Sequence, residues 1–165
     1  MKVMVAQFGS QTQEYGSSIL HNVEALLRGN GFEVQPLKLP PMDDANPLMS
    51  VTSWRLLPVA SMADSLLCLD ARSAVLQHPK KYLWLLDDAD DSVRVGDQHE
   101  YLANVLAAGI RECQRVFVSA PAENRLDQVR RGGVTELNPP VPQPAGSLGK
   151  ATSKAYAPLL TALRA

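Results

Sequence analysis

The sequence has few cysteines, no long hydrophobic run and almost no excess of charge. Cys68 and Cys113 are its two cysteines; they lie in apolar surroundings without C-x-x-C spacing, which predicts buried thiols in a reducing, cytoplasmic compartment. No apolar run reaches the ~18 residues of a membrane span, and the first residues lack the apolar core of a signal peptide. A net charge of -1 provides no basic patch, so we expect no nucleic-acid partner.

Several chemical motifs are also missing. The G-x-G-x-x-G dinucleotide fingerprint and the G-x-S-x-G nucleophile elbow are both absent. The histidines at 21, 78 and 99 are scattered without H-x-x-H or H-E-x-x-H spacing, which argues against zinc. The sequence therefore contains no recognisable catalytic set, and the catalytic residues stay unknown; we expect no metal and no cofactor.

Short apolar runs alternate with segments of helical periodicity along the chain. This alternation predicts an α/β, Rossmann-like three-layer sandwich with a mainly parallel sheet of five to seven strands. The expected strands are 3–8, 32–34 (ending before Pro36), 65–69, 81–86, 115–119 and 134–137. Helical patterns cover 19–27, 101–113, 121–129 and 155–163, with shorter helices at 51–57 and 71–77. We expect a domain over 1–142, followed by a linker and short helix over 143–165.

The residues directly after each strand are the candidate ligand site, because open parallel sheets bind ligands beyond the carboxyl ends of their strands. Small and polar residues follow the first strand and suit an anion or a sugar hydroxyl. An ordinary loop with a helix cap is the alternative reading. The candidate binding residues there are Gly9, Ser10, Gln11, Thr12, Gly16 and Ser17.

Acidic residues follow the fourth strand. Asp87 and Asp88, with Asp90 and Asp91, could bind a divalent cation or form a solvated acidic turn, and the sequence favours the turn. Ser119 closes the fifth strand, where it either faces a ligand or caps the next helix. Trp54 is either a core residue or part of a cleft.

Several short motifs follow one another in a characteristic order. They are Arg28–Val34 (RGNGFEV), His78-Pro79-Lys80-Lys81, Trp84-Leu85-Leu86, Arg115-Val116-Phe117-Val118-Ser119, Asn124-Arg125-Leu126 and Leu137-Asn138-Pro139-Pro140. Together they resemble the N-terminal, acceptor-side domain of family 4 glycosyltransferases, which have two Rossmann-like domains (the GT-B architecture). The resemblance implies a role in glycan synthesis.

The sequence departs from that family in ways that change the expected function. The second, donor-binding domain is missing, and residues 143–165 are too few to build it. Asp87 stands where members often have histidine. We therefore expect an acceptor-binding or partner-binding module without transfer activity of its own, or one half of a split enzyme. The expected partners are a donor-binding glycosyltransferase half, a second copy of the chain, or a glycan or lipid-linked acceptor. The terminal helix would dock on its own domain or contact a partner.

A second resemblance involves the loop after the first strand. The run from Phe8 to Glu14 (FGSQTQE) is similar to the flavodoxin phosphate loop, which holds the phosphate of FMN. Gln13 stands where that loop has glycine, and Tyr15 stands near its last hydroxyl position. This resemblance implies a flavodoxin-like FMN-binding protein as the alternative function.

Overall fold

A computed structural model describes residues 1–8, 13–40, 46–85, 99–118, 136–137 and 155–165, without the side chains of 13–18, 99–100 and 136–137. These described residues form six strands: β1 (Lys2–Phe8), β2 (Glu33–Leu39), β3 (Ser65–Cys68), β4 (Lys81–Leu85), β5 (Arg115–Val118) and β6 (Glu136–Leu137). The helices are α1 (Gln13–Gly29), α2 (Pro47–Arg55), α3 (His99–Arg111) and α4 (Ala157–Arg164), with 3-10 turns at Val59–Ser61 and Ser73–Val75. No helix in these ranges is long and apolar enough to cross a membrane.

The strands form one sheet in the order β2-β1-β3-β4-β5-β6, and every neighbouring pair is parallel. β1 lies inside the sheet between β2 and β3, and its residues Val3 to Ala6 have no exposed surface. Such a continuous apolar run is typical of a strand covered on both faces. The predicted α/β sandwich with a parallel sheet is confirmed.

Helices cover both faces of the sheet. α1 and α4 pack on one face, against strand residues that include Val3, Tyr82 and Trp84. The other face packs against α2, α3 and the two 3-10 turns. The ring centroids of Trp84 and Tyr156 lie 5.9 Å apart, and Arg164 Nη2 donates to the Asn30 carbonyl at 3.1 Å. The terminal helix is thus part of the same hydrophobic core as α1.

Helix α1 ends where the sequence places glycine and asparagine. Gly31 has a φ of 85°, the left-handed conformation that glycine adopts without strain. The amide of Phe32 donates to the Leu27 carbonyl at 3.1 Å, and that of Gly31 donates to the Arg28 carbonyl at 3.0 Å. These two bonds form a Schellman motif, which turns the chain directly into β2.

Two local predictions were wrong. β2 continues through Pro36 to Leu39, because this strand lies at the edge of the sheet, where a proline nitrogen can face away from the ladder. The short helix expected over 71–77 is only the 3-10 turn Ser73–Val75. The helix expected over 121–129 lies outside the described residues.

Candidate functional site

The carboxyl ends of β1, β3, β4 and β5 line one edge of the sheet, which we call the carboxyl edge. Neighbouring strands lie about 4.8 Å apart, so the ends of β1 and β5, three spacings apart, are separated by about 14 Å. The last residues of these strands are Phe8, Cys68, Leu85 and Val118. An edge of this length can accommodate a small organic ligand.

The predicted binding residues follow these strand ends in the sequence, but their side chains lie outside the described residues. This applies to Gly9, Ser10, Gln11, Thr12, Asp87, Asp88 and Ser119. Gly16 and Ser17 belong to α1, and their side chains are likewise outside the description. All nine therefore stay predictions. Among the residues that are described, no group of three or more His, Cys, Asp or Glu could hold a metal ion.

The structure adds residues at the carboxyl edge that the sequence reasoning missed. Asp70, two residues beyond β3, accepts the Phe8 amide through Oδ2 and the Ser73 amide through Oδ1, each at 2.7 Å. The Arg72 guanidinium carbon lies 4.4 Å from the centroid of the Phe8 ring, in cation–π contact. The sequence signal for this part of the site was Asp70 itself, an acidic residue that directly follows the apolar run 65–69.

Trp54 belongs to the core rather than to a cleft. Only 3% of its surface is exposed, and its ring centroid lies 5.7 Å from that of Phe8. Its ring packs against the Phe8 ring and is not accessible to a ligand.

A buried lysine lies at the other edge of the sheet, at the first residue of β4. Lys81 Nζ donates to the carbonyls of Ala74 and Leu76 at 2.7 and 3.0 Å and to Glu112 Oε2 at 3.0 Å. Burial alone would raise the pKa of Glu112, but hydrogen bonds from Arg55 and Lys81 hold it below its usual value of 4.5. This cluster joins β4 to Glu112, the residue that follows α3, and lies away from the carboxyl edge, so its role is structural.

The cysteines are unsuited to nucleophilic chemistry in the folded protein. Burial raises the pKa of Cys113 to about 12 and that of Cys68 well above its usual value of 9.0. We expect neither thiol to react with Ellman's reagent in mildly alkaline buffer, and both to react once urea unfolds the chain. Rapid labelling of either thiol in the native protein would contradict this.

The order of the strands identifies the type of parallel sheet. In the order β2-β1-β3-β4-β5, a single strand lies outside β1, whereas the classic Rossmann order has two strands there. The first order is that of flavodoxin. The fold is flavodoxin-like.

Comparisons with solved structures found flavoproteins. A diflavin flavoprotein from Nostoc sp. is 12% identical with a TM-score of 0.45, and the match covers 99% of this chain and 96% of that one. A cysteine-to-alanine mutant of flavodoxin from Pseudomonas aeruginosa is 13% identical with a TM-score of 0.39, and the match covers both chains fully. No family model and no curated protein matches the sequence. The fold assignment rests on the observed strand order.

The predicted resemblance to a glycosyltransferase domain is wrong, and with it the expected role in glycan synthesis. The sheet has the flavodoxin strand order in place of the classic Rossmann order, and no family model or curated protein supports a glycosyltransferase domain. Motif residues within the described part of the chain have structural roles. His78 bonds the Ala63 carbonyl and the Lys80 amide, Lys81 is fully buried, and Trp84 lies in the core. Residues of these types can have such structural roles in any α/β sheet. The order of the motifs along the sequence was therefore not specific to glycosyltransferases.

Proposed function

We propose that this chain is a flavodoxin-like domain that binds FMN at the carboxyl edge, between the ends of β1 and β3. The strand order carries the proposal. Connections from β1 and β3 run to opposite faces of the sheet, and the crevice left at such a switch point is where ligands of doubly wound sheets bind. When bound, FMN would supply one- and two-electron redox chemistry.

The residues at this crevice suit a phosphate group. Between Phe8 and Gln13 the chain has one glycine, two hydroxyl side chains and one amide, and α1 begins at Gln13. Backbone amides at the start of a helix, together with the helix dipole, favour an anion. Arg72 adds a positive charge beside Phe8. In this proposal Gly9, Ser10, Gln11 and Thr12 hold the phosphate, with Gly16 and Ser17 one turn further along α1.

The flat ring of a flavin needs an apolar surface beside the phosphate site. Tyr101 lies in the first turn of α3, the helix that follows β4, and 62% of its surface is exposed. Because α3 connects the carboxyl end of β4 to the amino end of the parallel strand β5, the helix starts from the carboxyl side of the sheet. We assign Tyr101 to stacking on the flavin ring. Asp87, Asp88 and Ser119 are assigned to the remainder of the crevice.

Titration of the purified, flavin-free protein with FMN tests the proposal. We expect quenching of flavin fluorescence with a Kd of about 1 µM or tighter. FMN at about 100 times its Kd should stabilise the fold by about 2.7 kcal/mol, which raises the Tm by several degrees. Riboflavin, which lacks the phosphate, serves as the control ligand and should bind at least about tenfold more weakly.

Variants at Tyr101 separate ring stacking from phosphate binding. Tyr101→Ala should weaken FMN binding by about tenfold, whereas Tyr101→Phe should retain it. Both variants should keep the stability of the native chain, because the side chain is exposed. A protein that neither quenches FMN fluorescence nor gains stability from FMN would refute the proposed function.

A further inference from the structure

Both ends of β1 are held by aspartates that flank β3. At the amino end, the Lys2 amide donates to Asp64 Oδ2 at 2.7 Å. At the carboxyl end, the Phe8 amide donates to Asp70 Oδ2, also at 2.7 Å. The two bonds have the same donor type, the same acceptor type and the same length. They differ in position, because only the second lies at the carboxyl edge.

Asp70 also fixes the segment that follows β3. Its Oδ1 accepts the Ser73 amide at 2.7 Å, and its backbone carbonyl accepts the Ser73 hydroxyl at 2.9 Å. Ser73 begins the 3-10 turn and is fully buried. A single carboxylate thus joins the end of β1 to the turn after β3, the two segments that border the switch point.

Arg72 lies between Asp70 and Ser73, in the segment that the Asp70 hydrogen bonds fix. Its guanidinium rests 4.4 Å over the Phe8 ring, and Phe8 in turn packs on the buried Trp54. The position of the Arg72 guanidinium therefore depends on the position of Phe8 and on the backbone path between Asp70 and Ser73. Hydrogen bonds to Asp70 fix both. The carboxylate itself directs its oxygens at backbone amides.

We propose that Asp70 is a positioning residue for anion binding at the carboxyl edge. It holds the end of β1 and the Arg72 guanidinium in a fixed relation, so that this positive charge is already in place when an anion binds. The inference rests on the proposed function and extends it to a residue that does not itself contact the ligand.

Asp64 supplies a matched control for the test. Asp70→Ala and Asp64→Ala each remove a carboxylate that accepts an amide of β1 at 2.7 Å. With FMN and inorganic phosphate as probes, we expect Asp70→Ala to weaken binding by about tenfold and Asp64→Ala to stay within about twofold of the native chain. Asp70→Asn keeps one of the two acceptor oxygens and should fall between the native chain and Asp70→Ala, and it replaces that variant if the alanine chain does not fold. Melting temperatures of all variants are measured alongside.

Amide hydrogen exchange, followed by NMR, provides a readout that needs no ligand. Exchange at the Phe8 amide should accelerate in Asp70→Ala and not in Asp64→Ala, and the Lys2 amide should show the reverse. Equal loss of affinity in the two alanine variants, unchanged affinity in Asp70→Ala, or unchanged exchange at Phe8 would overturn the positioning role. Native protein that binds neither probe would instead refute the proposed function, and the positioning role with it.

Discussion

Replacing Lys81 with methionine is expected to lower the free energy of unfolding by about 2–4 kcal/mol. The Lys81 side chain has no exposed surface, and its ammonium group supplies donors to two backbone carbonyls and to Glu112. Methionine retains the apolar stem, so little cavity forms. The carbonyls of Ala74 and Leu76 lose this donor inside the protein, and that loss dominates the effect.

Urea unfolding followed by tryptophan fluorescence measures the effect, with Lys80→Met as the control. Lys80 is the preceding residue and is only partly buried; its Nζ donates to the Ala165 carbonyl at an exposed position. The control should therefore change stability by less than about 0.5 kcal/mol. Equal stability of the two variants would show that the buried ammonium group does not support the fold.

The Glu112 carboxylate gives this prediction a pH dependence. Its pKa is lower in the folded chain than its usual value of 4.5, despite partial burial, because Arg55 and Lys81 bond it. The stability that it contributes is present above pH 4.5 and is lost as the pH falls through the folded-state pKa. Removing Lys81 should therefore reduce the loss of stability on acidification below pH 4.5.

Replacing Gly109 with alanine is expected to destabilise the protein by about 1–3 kcal/mol, although alanine normally favours a helix by about 1 kcal/mol over glycine. A Cβ at this position in α3 would lie 2.6 Å from the Ala74 carbonyl oxygen and 2.9 Å from its carbon. That carbonyl also accepts the Lys81 bond, so it cannot move away without breaking it. The close approach of α3 to the turn therefore requires glycine.

Gly29→Ala provides the control for this substitution. Gly29 ends α1, has no positive φ, and a Cβ there would meet nothing within 4 Å. We expect this variant to match or exceed the native stability by up to about 1 kcal/mol. Native-like stability of Gly109→Ala would show that the turn Ser73–Val75 can shift to accommodate the Cβ without loss of stability.

The destabilising effects of Lys81→Met and Gly109→Ala should not be additive, because both substitutions act on the Ala74 carbonyl. In the Lys81→Met background the carbonyl is no longer tied to an ammonium group, so Gly109→Ala should cost less there than in the native chain. A double-mutant cycle should give a coupling of about 0.5–3 kcal/mol. Strict additivity would indicate that the carbonyl does not link the two sites.

The sequence predicts the elements of this fold better than their arrangement. Buried strands such as Val3–Phe8 and the amphipathic helix around Leu102 to Ile110 follow from local hydrophobic patterns. Strand order depends on which distant segments pair, and no local pattern records that β1 lies between β2 and β3. The glycosyltransferase resemblance was wrong for this reason, since its motifs describe elements and not their neighbours.

For the candidate site, too, the sequence predicts local features but not the contacts between distant residues. The sequence places small and acidic residues after the strands, which is enough to predict a binding edge. The bond between Phe8 and Asp70 joins residues 62 positions apart and becomes visible only once β1 and β3 are known to pair. The contribution of Arg72 likewise depends on a turn whose path this bond sets.

The proline in β2 has a consequence for the protein at high concentration. β2 is the outermost strand on its side, and a free strand edge is a template on which another molecule's backbone can extend the sheet. Pro36, midway along this strand, has no amide hydrogen to offer an incoming chain, and exposed Glu33 and Lys38 place charge at both ends. This border is therefore poorly suited to seeding fibrils, even though the strand spans seven residues.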